Sequence, residues 1–492
     1  MLAILCGVVL GLSIVFGGGT HAGFLGDVIV QILSVPLFVA AVWPALEPSR
    51  FGSRKDRVLL LAGCAVILEI GIQLVPLPLG VWPLERLFGG MNPELLPLSP
   101  RGTWTPLSVA PQATWAAAAS LIVPAAIFLA VVQLGLRHRF ILTWLLLALG
   151  AAALVLGFLQ VAQGPASPLR FYTVTNPTEP VGFFANRNHF AAQLYVTLVL
   201  GAAWLANTAN QLWRPGALNS RSLLWLTGAA VFLVSVVAGL ALTRSRAGII
   251  LAIAALGGVL LMLLRQHTTQ QAGSPAYRTA TGRLSIATVL FAVLFATQFG
   301  LGGILSRFAS DPIEDLRLPL AETAFETAYK SLPFGTGLGS FVPVYAAAEG
   351  PKHISAEYAN RAHNDLAEFL LETGIPGALL LLAFLTWFVW RAYEVWLKLE
   401  LKEQDSQLLL QRSATLIVSL LLFHSLADYP LRTTAVSAIF AFFCGTLATR
   451  APVRESESIP QRRHAVRETS RIEGMQPAEN YSGVEWPESW LR

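Results

Sequence analysis

The segment Arg361-Ala362-His363-Asn364-Asp365-Leu366-Ala367-Glu368-Phe369-Leu370-Leu371-Glu372 sets an imidazole among three carboxylates. An imidazole titrates near neutral pH and can take a proton from a hydroxyl. An isolated loop histidine is usually inert, so it is the company of His363 that makes it a candidate base. Asn364 or Asp365 is suited to cap a short helix, and Gly374-Ile375-Pro376-Gly377 to stop it. Glu368 and Glu372, four apart, share one helix face. A solvated acidic face is the plain expectation for that pair, and a place beside His363 is the functional one.

Three other clusters carry chemistry. The turn Thr243-Arg244-Ser245-Arg246-Ala247-Gly248 holds two guanidiniums in very little chain. They could snorkel to lipid phosphates. They could equally clamp a diphosphate, because guanidinium is permanently charged, its planar fork suits phosphate oxygens, and Ser245 adds a hydroxyl. In Phe183-Phe184-Ala185-Asn186-Arg187-Asn188-His189-Phe190, Asn186 or Asn188 can serve as helix cap, which leaves Arg187 and His189 unexplained. A helix start also offers backbone N–H groups to an anion. His424, Asp428 and Arg432 complete the set near the C-terminal end of the apolar region.

The elements that must position these groups are membrane helices. Of 492 residues, 54% are hydrophobic and 13% charged, with a mean hydropathy of +0.59, far too apolar for a soluble protein. Apolar stretches of about 18 or more residues mark spans. About twelve are expected, near 2–18, 26–46, 58–76, 114–136, 140–162, 189–206, 222–243, 247–264, 285–305, 374–396, 413–428 and 433–449. The first has no basic lead and no cleavage site, which reads as a retained helix. An N-terminus inside places most Lys and Arg in cytoplasmic loops, as the positive-inside rule requires. The segments about 77–113, 163–188 and 306–373 then face outward, and every cluster above lies at that surface. The stretch 450–492, polar and without apolar periodicity, reads as a disordered cytoplasmic tail.

Several classes are excluded. Three cysteines, Cys6, Cys64 and Cys444, all in apolar runs, rule out a disulfide scaffold or a cysteine zinc site. No metal motif occurs, so neither metal nor cofactor is expected. The basic excess is too scattered for nucleic-acid binding. Gly335-Thr336-Gly337-Leu338-Gly339 lacks the spacing of a nucleotide loop and reads as a turn. Glu69 is expected to be satisfied by a neighbouring helix near the outer end.

In their order along the chain, Pro106-Leu107-Ser108, Asn186-Arg187-Asn188-His189-Phe190-Ala191, Ser245-Arg246-Ala247-Gly248, Gly335 to Phe341, His363-Asn364-Asp365 with Glu372-Thr373-Gly374-Ile375-Pro376-Gly377, and His424 to Arg432 resemble the blocks of the bacterial O-antigen ligase and O-antigen polymerase superfamily. The resemblance spans roughly residues 100 to 450. It implies an all-α polytopic membrane glycosyltransferase of GT-C type over residues 1–449, in the bacterial inner membrane, with a large periplasmic loop. It also implies metal-independent transfer, with inversion, of a glycan from undecaprenyl diphosphate at the periplasmic face. His363 matches the family's loop histidine, proposed to activate the acceptor hydroxyl. Arg246 matches the arginine proposed to bind the lipid diphosphate. Arg187, Arg244, Asn188 and His189 are further candidates for the donor, with Asn364, Asp365, Glu372, His424, Asp428 and Arg432 in support. The acceptor stays open among lipid A-core, a growing polysaccharide and protein. A transporter of lipid-linked sugars is the reading from another class, weakened because the polar groups crowd one face instead of the bilayer midplane.

Overall fold

A computed structural model describes residues 1–20, 24–46, 54–78, 104–212, 220–269, 312–349, 359–398 and 406–449. The described chain is helical: α1 (Leu2–Phe16), α2 (Leu25–Val42), α3 (Arg54–Leu74), α4 (Pro111–Ser120), α5 (Ile122–Gln133), α6 (Leu136–Gln163), α7 (Arg187–Leu212), α8 (Ser220–Leu242), α9 (Arg246–Thr269), α10 (Pro312–Lys330), α11 (Phe341–Ala348), α12 (Asp365–Tyr393), α13 (Ser406–His424) and α14 (Thr434–Ala448). One antiparallel ladder interrupts this, β1 (Pro76–Pro78) against β2 (Trp104–Pro106).

Six helical stretches among the described residues are long and apolar enough to cross a membrane: Leu25–Val42, Pro111–Gln133, Leu136–Gln163, Leu224–Leu242, Asp365–Leu397 and Ser406–His424. Four shorter apolar helices, Leu2–Phe16, Leu61–Leu74, Arg246–Met262 and Thr434–Ala448, accompany them. The chain is therefore a multi-pass membrane protein. The expected span 285–305, the tail 450–492 and parts of the segments 77–113 and 306–373 lie outside the described residues. The stretch expected as one span at 114–136 is broken at Leu121, because Pro124 has no N–H for the carbonyl of Ser120.

The bundle packs around one large apolar core in which α7 is central. Phe190, Leu194, Tyr195, Leu198 and Val199 are all buried on it. Small residues let membrane helices approach closely. Gly248, near the start of α9, does this against α7: a Cβ there would lie 2.7 Å from the Cβ of Ala191. At the opposite end of the bundle three helices seize the end of α14. Arg391 Nε donates to the carbonyl of Leu447 at 2.8 Å, Gln411 Nε2 to that of Thr449 at 2.5 Å, and Arg139 Nη1 to the Thr449 hydroxyl at 2.5 Å. The first two bonds satisfy carbonyls that a helix end leaves without a partner.

A second, smaller core lies at the other end. Leu320, Ala324 and Ala328 of α10 pack with Phe341, Val344 and Tyr345 of α11 and with Ala362, Ala367 and Leu371. It supports the first turns of α12, which are set off from the rest of that helix by a break at Gly374 (φ 57°, ψ −143°). The glycine turn at 335–339 answers the break. Thr336 N–H donates to the carbonyl of Leu371 at 2.9 Å, Gly337 N–H to that of Glu372 at 3.0 Å, and Ile375 N–H to that of Pro333 at 2.7 Å. Gln73 of α3 joins them, its Nε2 donating to the Glu372 carbonyl at 3.2 Å and its Oε1 accepting from Leu338 N–H at 2.8 Å. Glu69, expected to find its partner on a neighbouring helix, instead accepts from this same Gln73 at 2.9 Å, one turn along α3.

Candidate functional site

Asn364 caps α12, its Oδ1 accepting from Ala367 N–H at 3.0 Å. The chain enters the cap with His363 at φ +50°, a conformation that residues bearing a Cβ rarely adopt. Neighbouring bonds hold it: Asn364 Nδ2 donates to the Leu426 carbonyl at 3.0 Å and Asp365 N–H to the Ser425 carbonyl at 2.8 Å. The start of α12 is thus sewn to the loop between α13 and α14.

That loop supplies Asp428, which is fully buried. His363 Nδ1 stands 3.1 Å from Asp428 Oδ1. Tyr429 N–H also donates to Oδ1 at 3.0 Å, and Asn188 Nδ2 donates to Oδ2 at 2.5 Å. An ionised carboxylate only accepts, so the imidazole proton belongs on Nδ1, and Nε2 is left as an acceptor. The His363 side chain keeps 17% of its surface exposed, enough to meet a substrate.

Beneath it lies a charge network. Arg432 Nη1 is 2.7 Å from Glu372 Oε2 and 3.5 Å from Glu368 Oε1, and its Nε is 3.4 Å from Asp365 Oδ1. Arg361 Nη1 is 2.7 Å from Glu368 Oε1, and Ala362 N–H donates to Glu368 Oε2 at 3.0 Å. Asp365 Oδ2 accepts from Ser425 at 2.7 Å. Burial pulls the Arg432 guanidinium down in pKa, but the charges of Glu368, Glu372 and Asp365 outweigh it, and the net shift is upward. Glu368 and Glu372 are wholly buried, so the solvated face expected for them is not what forms. Arg432 comes 60 residues after Glu372 and Arg361 seven before Glu368; the first of these partners is beyond the reach of helix periodicity, and the second precedes the helix.

The remaining candidates surround this centre. Asn186 is the α7 cap, its Oδ1 accepting from Asn188 N–H at 2.8 Å, which leaves the Asn188 side chain to reach Asp428. His189 is fully buried, its ring edge-on to Tyr429 at 4.9 Å. His424 is buried too, Nδ1 at 3.2 Å from the Tyr195 hydroxyl. Arg187 pairs with Glu179 at 3.1 Å, and Asn176 Oδ1 accepts its backbone N–H at 2.9 Å. Arg244 is exposed at φ +50° and Arg246 is half-buried at the start of α9. Their turn joins the site through α7, at the Gly248 and Ala191 approach; Ser245 Oγ caps α9 by accepting from Gly248 N–H at 3.0 Å.

Sequence reasoning passed over Tyr429, Arg361 and Gln73. Tyr429 is buried, and burial first, then the Asp428 charge, push its phenol up to about 12 in spite of hydrogen bonds from Asn360 and Asn186. An aromatic in an apolar junction gives no signal of this; only the neighbouring acid and the Pro430 turn hint at it. Among the described residues no group of three or more His, Cys, Asp or Glu side chains is placed to hold a metal.

Comparison with known proteins gives a match over part of the chain. No curated protein matches it. Residues 229–382, from within α8 across the arginine turn, the glycine turn and His363 to the middle of α12, match the family model described as O-antigen ligase, and this part of the chain is accordingly similar to the O-antigen ligase superfamily.

Proposed function

We propose that this protein transfers a glycan from a polyprenyl diphosphate, of the undecaprenyl type, to an acceptor hydroxyl at the outer face of the bacterial inner membrane, on a GT-C-like scaffold. The observation that carries the reading is His363, held by Asp428 through Nδ1 on a side chain that stays partly exposed. The family match supports glycan transfer in general.

In the proposed step the acceptor O–H gives its proton to His363 Nε2. Its oxygen forms a bond to the anomeric carbon as the bond from that carbon to the diphosphate oxygen breaks. The electron pair leaves with the diphosphate, and the configuration inverts. Preorganised positive charge is what such a leaving group needs. Arg244 and Arg246, in the turn that meets α7 at Ala191, are the side chains that would supply it. No metal or nucleotide enters, since the energy is stored in the donor.

The acceptor is lipid A-core in the ligase reading. A growing polysaccharide or a protein hydroxyl would use the same donor and the same base. The test is purified protein in liposomes with labelled undecaprenyl-diphosphate oligosaccharide, wild type beside His363→Ala, and the products separated on a gel. Label moving to added lipid A-core or protein, or a ladder of lengthening glycan, is the expected result and names the acceptor, with His363→Ala inactive. No transfer to any of the three overturns the proposal, and full turnover by His363→Ala removes the base from it.

A further inference from the structure

We propose that Tyr429 is the positioning residue for His363: its ring is wedged between two imidazoles, one ahead of α12 and one at the start of α7. The inference rests on His363 as the proposed base. The ring of Tyr429 meets His363 edge-on at 4.9 Å and 71°, and meets His189 at 4.9 Å and 82°. Edge-to-face packing of this kind fixes the mutual tilt of aromatic rings. His189 opens α7 and His363 precedes α12, so only the tertiary fold can bring both to one ring.

The backbone adds direction. Asn186 is the cap of α7 and spends its Oδ1 on Asn188 N–H. Asn188 in turn donates to Asp428, which receives His363 Nδ1 and the backbone N–H of Tyr429 itself. One residue therefore touches the loop that carries the base, the helix that carries Asn188, and the carboxylate beside it. His363 stands at φ +50°, and such a backbone persists only where its surroundings over-determine it. Asp428 fixes which nitrogen bears the proton. Tyr429 fixes where the other nitrogen points.

A base displaced by about 1 Å loses on the order of 10²-fold in rate. Tyr429→Leu, which removes ring and hydroxyl, should lower kcat by about that factor with the donor KM unchanged. Tyr429→Phe, which keeps the ring, should recover most of the loss. The deciding measurement is a double-mutant cycle with Asp428→Asn in liposomes: Asp428 and Tyr429 both act through His363, so the two losses in kcat should combine to less than their product. Thermal unfolding of each variant separates this from loss of fold. If Tyr429→Leu does not fold, Tyr429→Met, which fills the space without a ring, enters the same cycle. Wild-type kcat in a folded Tyr429→Leu protein, or losses that multiply in full, overturns the proposal. The base reading fails differently, through an active His363→Ala alone.

Discussion

The chemistry available to His363 depends on the carboxylate behind it. Asp428 is buried and takes hydrogen bonds from the imidazole, from Asn188 and from its own neighbour's backbone. An amide in its place offers an N–H₂ where an acceptor is needed, which favours the tautomer with its proton on Nε2. On the proposed mechanism Asp428→Asn lowers turnover by about 10²-fold or more, the scale of a lost general base, while donor affinity stays as it was. Steady-state rates over a range of donor concentrations read both, and an unaltered kcat would sink the assignment of Asp428. His363 and Asp428, which the fold brings together, could be picked out in the sequence because their types announce chemistry. The pairing of Glu368 and Glu372 with Arg432 and Arg361 could not, since acids four apart look the same whether a helix face meets water or a buried guanidinium. Tyr429 was hidden for a related reason: the role proposed for it comes from contacts with His189 and His363 that only the folded chain assembles.

Among the elements, α12 shows how sequence and fold divide the work. Asn364 as cap and Gly374 with Pro376 as a break are local signals, and both operate where expected. The consequences of the break reach well beyond the helix. The turn at 335–339, readable only as a turn, supplies the N–H groups that the freed carbonyls of Leu371 and Glu372 require. Gln73 arrives from a third element to complete them. Gly374 is the point on which these meet: its φ and ψ lie in territory almost reserved for glycine, and a Cβ would sit 2.3 Å from the Pro333 carbonyl oxygen. Gly374→Ala should therefore destabilise the protein by at least about 1–3 kcal/mol, seen as a lower Tm in detergent. A Tm equal to wild type would show that the break tolerates a side chain and that the turn does not depend on it.

For the whole molecule, run length and composition sufficed to reveal a multi-pass membrane protein, because hydrocarbon imposes a minimum helix length. They did not fix the number of spans: six of the described helical stretches are long and apolar enough to cross, and α7 opens on Arg187, Asn188 and His189 before its apolar run begins. Orientation is a separate matter, and the proposed one is checked by chemistry at two exposed positions. In a variant lacking Cys6, Cys64 and Cys444, Lys330→Cys should react with a membrane-impermeant maleimide in intact cells with a permeabilised outer membrane, and Arg221→Cys should react only after lysis. The reverse pattern would turn the protein over and move the proposed site to the cytoplasm. On the side of His363 four carboxylates, Asp365, Glu368, Glu372 and Asp428, meet two guanidiniums, Arg361 and Arg432; the turn that meets α7 at Ala191 contributes Arg244 and Arg246. On the proposed mechanism, a donor charged at one end only would be swung round between these two groups as a compass needle is, anion toward the arginine turn and neutral end toward the imidazole, before any single hydrogen bond had selected it.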